Sequence, residues 1–276
     1  MRIDAHQHFW RFDPVRDSWI TEEMGVIRRD FLPEDLAPLL TEAGVEGCVA
    51  VQADPSENET AFLLRLAEEN PFILGVVGWV DLLAPNLAER LEHFSRFDRL
   101  RGIRHIGQVE SDHFFARGDV VHRIGMLTDF GLTYDILLYP RHLPAALSMV
   151  RRLPDQRFVV DHMAKPLIKD KEIEPWAAHI RELAAHPNVW CKVSGLVTEA
   201  DWTGWRPMDM RPYLEVVFEA FGPDRLMVGS DWPVCLLAAQ YHEVWQLVEE
   251  YAADLSEANR QKLFGGNAAR FYGLKE

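Results

Sequence analysis

Histidines and a carboxylate that could perform hydrolysis occur at widely separated positions of the chain. His6 and His8 lie near the start with one residue between them, His162 lies in the middle, and Asp231 follows a glycine-serine pair. A carboxylate can activate water as a general base, and neighbouring imidazoles can polarise a carbonyl group or bind a metal ion. The residue types therefore indicate hydrolytic chemistry, provided that the fold brings these four side chains together.

Each of these residues also has a structural interpretation. A single histidine on a strand is more often a hydrogen-bonded core residue than a catalytic group, and Asp231 could cap a helix that starts after Pro233. Together the four favour a functional interpretation, because burying them for structural reasons alone would cost on the order of several kcal/mol. Asp231 is the first candidate for the catalytic base.

Eight short apolar runs could position these groups. They alternate with amphipathic segments of helical period, a pattern that is typical of βα units and a parallel sheet. The sequence predicts a (β/α)8 TIM barrel of the α/β class, formed as one domain by residues 1–276. An open doubly wound sheet is the alternative, but the first run is not followed by a glycine-rich nucleotide fingerprint. The runs occupy residues 2–9, 47–52, 73–80, 100–106, 132–138, 157–162, 189–194 and 225–231.

Polar side chains end these runs, at the rim where a parallel barrel carries its active site. Because side chains alternate along a strand, Asp4, His6 and His8 are expected to face one side and Ile3 and Ala5 the other. Two irregular, tryptophan-rich stretches, 9–29 and 198–211, are expected to be functional loops. Aromatic faces and hydrogen-bonding groups suited to a polyol substrate are supplied by Trp10, Gln52, Asp81, His105, Lys192, Glu199, Trp202 and Trp232.

The composition argues against several classes of partner. A net charge of -14 leaves no basic surface for nucleic acid or anionic lipid. No run of about 18 apolar residues is present to span a membrane. Cys48, Cys191 and Cys235 are odd in number and widely spaced, which indicates reduced thiols rather than a disulfide framework. We therefore expect a cytoplasmic protein with a small-molecule partner, and a homo-oligomer is compatible with the sequence.

Five ordered motifs give the chain a resemblance to a known family. It resembles the amidohydrolase superfamily and, within it, the lactonase branch of amidohydrolase family 2, which includes fuconolactonases and rhamnonolactonases. The resemblance runs the whole length of the chain. The motifs are DAHQHFW from Asp4, RGIRH from Arg101, DH at Asp161 with KP at Lys165, KVSGLVTEA from Lys192, and GSDWP from Gly229.

The resemblance implies a hydrolase that opens an aldonolactone, such as L-fuconolactone or L-rhamnonolactone, to the sugar acid. Asp231 would activate water, and Arg104 with the imidazoles of His6, His8 and His162 would orient or polarise the lactone carbonyl. This assignment agrees with the general needs of ester hydrolysis, which are a base near water and donor groups at the developing oxyanion.

Metal content is the main point on which alternatives remain. His6, His8, His162 and Asp231 could hold one Zn²⁺ with a position left for water. Arg104 favours metal-independent catalysis, because its guanidinium can supply the positive charge at the oxyanion instead. The competing interpretations are a mononuclear zinc-dependent amidohydrolase or non-oxidative decarboxylase, and a barrel that binds a sugar acid without turning it over.

Overall fold

Eight parallel strands form one sheet in the computed structural model, which describes residues 1–275. Neighbouring strands in the sheet are also neighbours in the sequence, so every connection is a simple βα crossover. All eight predicted runs contain a strand. The strands are β1 (Ile3–Gln7), β2 (Gly47–Val51), β3 (Ile73–Gly78), β4 (Leu100–Ile106), β5 (Thr133–Leu137), β6 (Phe158–Val160), β7 (Val189–Val193) and β8 (Leu226–Val228).

Helices lie between successive strands and after the last one. Ser56 caps one of them, since its hydroxyl accepts a hydrogen bond from the backbone N–H of Glu59 at 3.2 Å. The α-helices are α1 (Pro33–Glu42), α2 (Glu57–Glu69), α3 (Leu87–Phe94), α4 (Gly118–Gly125), α5 (Leu143–Arg152), α6 (Trp176–Ala184), α7 (Pro207–Phe221), α8 (Tyr241–Tyr251), α9 (Glu257–Gln261) and α10 (Asn267–Tyr272).

The first strand, β1, and the last, β8, meet just beyond the end of β8. Gln7 forms a parallel bridge with Trp232, the backbone N–H of Asp231 donates to the carbonyl of His6 at 2.8 Å, and the N–H of His8 donates to the carbonyl of Trp232 at 2.7 Å. This closure confirms the (β/α)8 barrel and rules out the open doubly wound sheet. It also places Asp231 directly beside the histidine pair of β1.

The barrel interior changes character along its axis. Its lower part is apolar, with Ile3, Ala5 and Val49 packed against Phe271 of α10, so this helix closes the bottom. Above this layer the inward positions of β4 to β7 carry charged side chains, which are Arg104, Asp135, Asp161 and Lys192. The apolar floor supports a polar chamber whose open end is the carboxyl rim of the strands.

Two further expectations from the sequence concern cysteines and membrane segments. Cys48, Cys191 and Cys235 are buried free thiols. Within residues 1–275 no helix combines the length and the apolar character that crossing a bilayer requires.

Candidate active site

A cavity of about 710 Å³ opens at the carboxyl rim of the barrel. Loop residues after β1, β2, β4 and β7 form its upper wall, and side chains from the strand ends form its lower wall. Eight of the predicted site residues line it. They are His8, Trp10, Arg104, His105, His162, Glu199, Trp202 and Asp231.

A bulge in β1 turns the histidine pair toward this cavity. The register between β1 and β2 shifts by one residue between Asp4 and Gln7. Ala5 packs in the barrel interior, and His6 contacts Lys192 and the inward-facing Asp161. Asp4 instead faces outward and accepts a hydrogen bond from Tyr241 of α8. The predicted placement of Asp4 on the side of both histidines is therefore wrong, because the extra residue breaks the alternation.

Three imidazoles converge on one carboxylate oxygen. The Nε2 atoms of His8, His6 and His162 lie 3.4, 3.8 and 3.9 Å from Oδ1 of Asp231. The side chains of all four residues are at least 95% buried. The structure thus brings together the four groups that the sequence places far apart.

The turn that carries Asp231 is held in place by hydrogen bonds to the buried carboxylate of Asp4. Asp4 accepts hydrogen bonds from the Ser230 backbone N–H at 2.9 Å and the Ser230 hydroxyl at 2.6 Å. Gly229 lets this turn approach β1, since a Cβ there would lie 2.6 Å from the Cβ of His6. Asp231 itself has a φ of +58°, a left-handed conformation that is strained for aspartate. Asp4 and Ser230 therefore position the candidate base.

His162 lies in an unusual left-handed turn after β6. Four successive residues without a glycine, from His162 to Lys165, have φ values of 52, 52, 61 and 51°. Each such residue costs about 1–2 kcal/mol relative to the right-handed region. The Trp176 indole donates to the carbonyl of Met163 at 2.7 Å and stabilises the turn. The turn directs both the His162 imidazole and the Lys165 ammonium into the cavity wall.

Gly195 contacts this turn, and its replacement by alanine should displace His162. A Cβ at Gly195 would lie 2.8 Å from Nδ1 of His162, which hydrogen-bonds the Ser194 hydroxyl at 2.9 Å. We expect Gly195→Ala to lower kcat at least about tenfold and to destabilise the fold by about 1–2 kcal/mol, since its φ is +67°. Steady-state kinetics and thermal melting measure both effects.

Gly131→Ala is the matched control. Gly131 has a φ of +68° but no atom within 4 Å of an added Cβ, so it carries the same backbone cost without a clash. Its melting temperature should fall while kcat stays at the wild-type value. Equal kcat in the two variants would contradict the role of Gly195 in placing the imidazole.

Arg104 brings a fixed positive charge to the cavity floor. One of its terminal nitrogens lies 3.1 Å from Oδ2 of Asp161, and the other donates to the carbonyl of Gln52. The first nitrogen is also 3.3 Å from Nε2 of His6. Arg104 lines the cavity while its partners hold it from behind, so its guanidinium borders the space that a ligand would occupy.

The protonation states suit base catalysis. Burial alone would raise the pKa of Asp231, but His162, His8 and the ammonium of Lys165 outweigh it and hold that pKa below its usual value. Burial lowers the pKa values of His6, His8 and His162. The lowered pKa keeps the Asp231 carboxylate ionised at neutral pH, which is the state that a general base needs.

Some predicted substrate contacts lie outside the cavity wall, and the predictions that they face it are wrong. Trp232 packs edge-on against Phe9 and Phe31 in the core, because the bridge to Gln7 turns its side chain outward. Asp81 is exposed and accepts from the backbone N–H of Leu83.

Gln52 and Lys192 are fully buried beneath the cavity instead. The Gln52 amide donates to the carbonyl of Arg104 at 3.3 Å. Lys192 is enclosed by the barrel interior, where its ammonium forms an ion pair with Asp135 at 2.6 Å. His6 likewise lies at the floor, where its Nε2 is 3.2 Å from Nε2 of His8.

Sequence reasoning missed several side chains of the wall. Lys165 is the most important, since its ammonium forms an ion pair with Glu199 at 2.5 Å and stands near Asp231. Its position three residues after His162 is a signal that could have identified it. The others were not assigned individually, although the first three lie in the loop 9–29 that was expected to be functional; they are Arg16, Asp17, Trp19, Asp54, Gln108, Glu110 and Tyr139.

The convergent residues fit a single divalent cation in donor type and spacing. Nitrogen and oxygen ligands in a tetrahedron around zinc, at about 2.0–2.2 Å from the metal, lie roughly 3.3–3.6 Å apart. His6, His8 and Asp231 place one ligand atom each within 4.8 Å of one another. A divalent metal is therefore compatible with the site, although Arg104 places a positive charge next to the same histidine nitrogen.

The closed barrel and this convergent rim define a hydrolase of the amidohydrolase type. The amidohydrolase family model matches residues 3–274, and the chain belongs to that family. Over its full length the chain is 46% identical to an L-fucono-1,5-lactonase of Burkholderia multivorans, of which it covers 97%.

Two other comparisons support the assignment. An L-fucono-1,5-lactonase of Burkholderia ambifaria is 41% identical over 99% of this chain and 96% of its own length. The crystal structure of an amidohydrolase from Burkholderia multivorans, described with bound zinc, is 47% identical, with a TM-score of 0.96 and complete coverage of both chains.

Proposed function

We propose that this lactone hydrolase opens an aldonolactone of the L-fuconolactone type to the corresponding sugar acid, with Asp231 as the base. The convergence of three buried imidazoles and Arg104 around Asp231 carries the proposal. The names of two full-length relatives, both L-fucono-1,5-lactonases, support the substrate class.

The cavity has the groups that a sugar lactone needs. Trp10 and Trp202 offer apolar faces to the C–H groups of the ring, while His105 and Glu199 offer hydrogen bonds to its hydroxyls. Arg104 at the floor is the partner for the carbonyl oxygen. The lactone carbon is then close to Asp231, which is where a water molecule must be activated.

In the chemical step Asp231 first accepts a proton from water and later donates the same proton to the leaving oxygen. Asp231 takes a proton from water, the hydroxide oxygen bonds to the carbonyl carbon, and Arg104 stabilises the resulting oxyanion. The bond from that carbon to the ring oxygen then breaks. Asp231 returns its proton to the leaving oxygen, which yields a hydroxyl group and the free acid, so atoms and charge balance.

A divalent cation at this site would be held by His6, His8, His162 and Asp231. When bound, it would lower the pKa of water and polarise the carbonyl. We propose that catalysis is nevertheless metal-independent, because Arg104 and Lys165 already supply positive charge at the cavity wall.

Chelation should accordingly leave the activity intact. We expect the purified enzyme, freed of metal by dialysis against a chelator, to retain kcat within about twofold of the untreated sample, since Arg104 replaces the Lewis acid. Elemental analysis gives the metal content of both samples. Loss of activity that stoichiometric zinc restores would favour the mononuclear zinc hydrolase or the decarboxylase.

A lactone panel tests the substrate class. Acid release is followed in a pH-stat with the 1,4- and 1,5-lactones of fuconic, rhamnonic and galactonic acids, each corrected for spontaneous hydrolysis. We expect the fuconolactones to give the highest kcat/KM. Tight binding with no rate above background would support a binding protein instead and would overturn the proposal.

The compartment, domain organisation and partner of the enzyme can also be proposed. Three buried thiols support a reducing compartment, and we propose the cytoplasm. We also propose that residues 1–276 form one domain whose partner is a small sugar lactone, without nucleic acid or membrane.

A further inference from the structure

An ion pair in the cavity wall has more hydrogen-bonding capacity than its two members use on each other. The ammonium of Lys165 donates to Oε1 of Glu199 at 2.5 Å, and both side chains line the cavity. An ammonium group can donate three hydrogen bonds, and a carboxylate accepts through both of its oxygens. Within residues 1–275, Lys165 Nζ has no second hydrogen bond or ion pair, and Oε2 of Glu199 accepts no hydrogen bond. Donors on one side chain and an acceptor on the other are therefore left for a ligand.

The enclosure of this pair makes its spare groups selective. The side chains of Lys165 and Glu199 are only 14% and 18% exposed, and that exposure is toward the cavity that both residues line. A ligand that enters the cavity displaces the water around the pair and must replace the hydrogen bonds of that water. A site of this kind discriminates against an analogue that lacks the matching hydroxyl, because the polar groups of the site are then left unpaired.

The backbone holds both members of the pair in place. Lys165 is the last of the four left-handed residues after β6, and its N–H donates to the carbonyl of His162 at 2.8 Å. The carbonyl of Glu199 accepts a hydrogen bond from the N–H of Lys169 at 3.0 Å. Strained backbone conformations of the kind at Lys165 cluster at ligand and active sites. A preorganised pair also loses little conformational freedom when a ligand binds, which favours affinity.

The pair lies beside the candidate base. Lys165 follows β6, Glu199 follows β7 and Asp231 follows β8, so the three come from adjacent strand ends. The ammonium of Lys165 helps to lower the pKa of Asp231, although in the described part of the chain the two form no ion pair. In the proposed function the lactone carbonyl carbon lies close to Asp231. The hydroxyl on the adjacent ring carbon, C2, is therefore the first that Lys165 can reach.

We infer that Lys165 and Glu199 together bind a vicinal diol of the substrate, with the ammonium donating to the C2 hydroxyl and the free carboxylate oxygen accepting from the C3 hydroxyl. The inference rests on the proposed function, and it makes this pair the part of the site that selects a 2,3-dihydroxylactone. Hydroxyls on neighbouring ring carbons lie close together, so the two joined members of an ion pair can contact both. A hydroxyl group donates and accepts, which suits a donor placed beside an acceptor.

The test measures how strongly each enzyme prefers a hydroxylated lactone to its deoxy analogues. The substrates are the best lactone of the panel and its 2-deoxy and 3-deoxy forms. The ratio of kcat/KM between parent and analogue cancels effects common to both, including any effect of losing the Lys165 charge near Asp231. We expect the wild type to prefer the parent by about tenfold to a hundredfold, as hydrogen bonds to charged groups imply. A wild type that hydrolyses the parent and the analogues equally well would overturn the inference.

Two variants separate the roles of the two side chains. Lys165→Met combined with Glu199→Gln removes one cation and one anion, and it should hydrolyse the parent and the 2-deoxy lactone with kcat/KM values within about threefold. Glu199→Gln alone should keep the preference against the 2-deoxy lactone. Its preference against the 3-deoxy lactone should fall at least about threefold, because a neutral amide oxygen accepts a weaker hydrogen bond. A double variant with the wild-type preferences would refute the diol site.

Arg90→Met combined with Glu57→Gln is the matched control. These residues form an ion pair at 2.6 Å between α2 and α3, with side chains 32% and 31% exposed, and they lie outside the cavity wall. This variant should keep the wild-type kcat/KM and both preferences. Circular dichroism and thermal melting establish that all variants are folded. Loss of the preferences in this control as well would attribute the effect to the fold and contradict the role of the cavity pair.

A binding measurement separates this inference from the proposed function. The 1,5-lactams of fuconic acid and 2-deoxyfuconic acid carry a ring N–H in place of the ring oxygen and resist hydrolysis, so calorimetry can give their affinities. The wild type should bind the hydroxylated lactam at least about tenfold more tightly, and the double variant should bind both within about threefold. This result would uphold the diol site even if no lactone were hydrolysed, which would end the proposed function alone. A wild type that does not distinguish the two lactams would overturn the inference.

Discussion

Asp231→Asn should lower kcat by about a thousandfold or more while the protein remains folded. Asparagine keeps the size of the side chain but cannot take a proton from water. The loss should appear in kcat rather than in KM, since the carboxylate acts on the reacting atoms. Steady-state rates with the best substrate of the lactone panel give both constants.

Asp81→Asn supplies the control for this substitution. Asp81 also follows a barrel strand, but it is exposed and lies outside the cavity wall. Its kcat should stay within about twofold of the wild type, because rim carboxylates without contact to substrate contribute little. An Asp231→Asn enzyme with full activity would remove Asp231 from its role as base.

Arg104→Met should have the second largest effect, on both catalysis and stability. It removes the cation that faces the carbonyl oxygen, so kcat should fall by about a hundredfold or more. It also leaves Asp161 without its guanidinium partner in a buried cluster, which should destabilise the fold by about 3–5 kcal/mol. Urea unfolding and kinetics measure the two effects separately.

Arg104→Lys keeps the positive charge but loses the second terminal nitrogen with which the guanidinium donates hydrogen bonds. A single ammonium cannot reach both Asp161 and the carbonyl of Gln52, as the guanidinium does. We expect this variant to recover most of the stability and only part of kcat. A Met variant that is as stable as the wild type would show that the ion pair with Asp161 contributes no net stability.

The fold could be predicted from sequence because its signals are local. Short apolar runs and helix caps such as Ser56 depend on neighbouring residues, and they set the eight βα units. The convergence of His6, His162 and Asp231 was predictable for a related reason. The carboxyl ends of parallel strands always meet at one rim, so polar residues at those ends must be close.

The features that could not be predicted from the sequence depend on contacts between distant segments of the chain. Nothing local in β1 marks the bulge that turns Asp4 away from His6, and nothing local marks the left-handed turn after His162. Lys192 resembles a substrate ligand in sequence, since only the closed barrel shows it enclosed by Asp135 and Asp161. Trp232 was misassigned because its bridge to Gln7 forms only on closure.

The extra residue in β1 has a consequence for protein engineering. A designer who copied the two histidines onto a regular strand of another barrel would keep their spacing but lose the irregularity that sets their directions. Deleting Ala5 from β1, which would remove the extra residue, should likewise rotate the imidazoles relative to Asp231. Transplanting this chemistry therefore requires copying the backbone of the strand and not only its side chains.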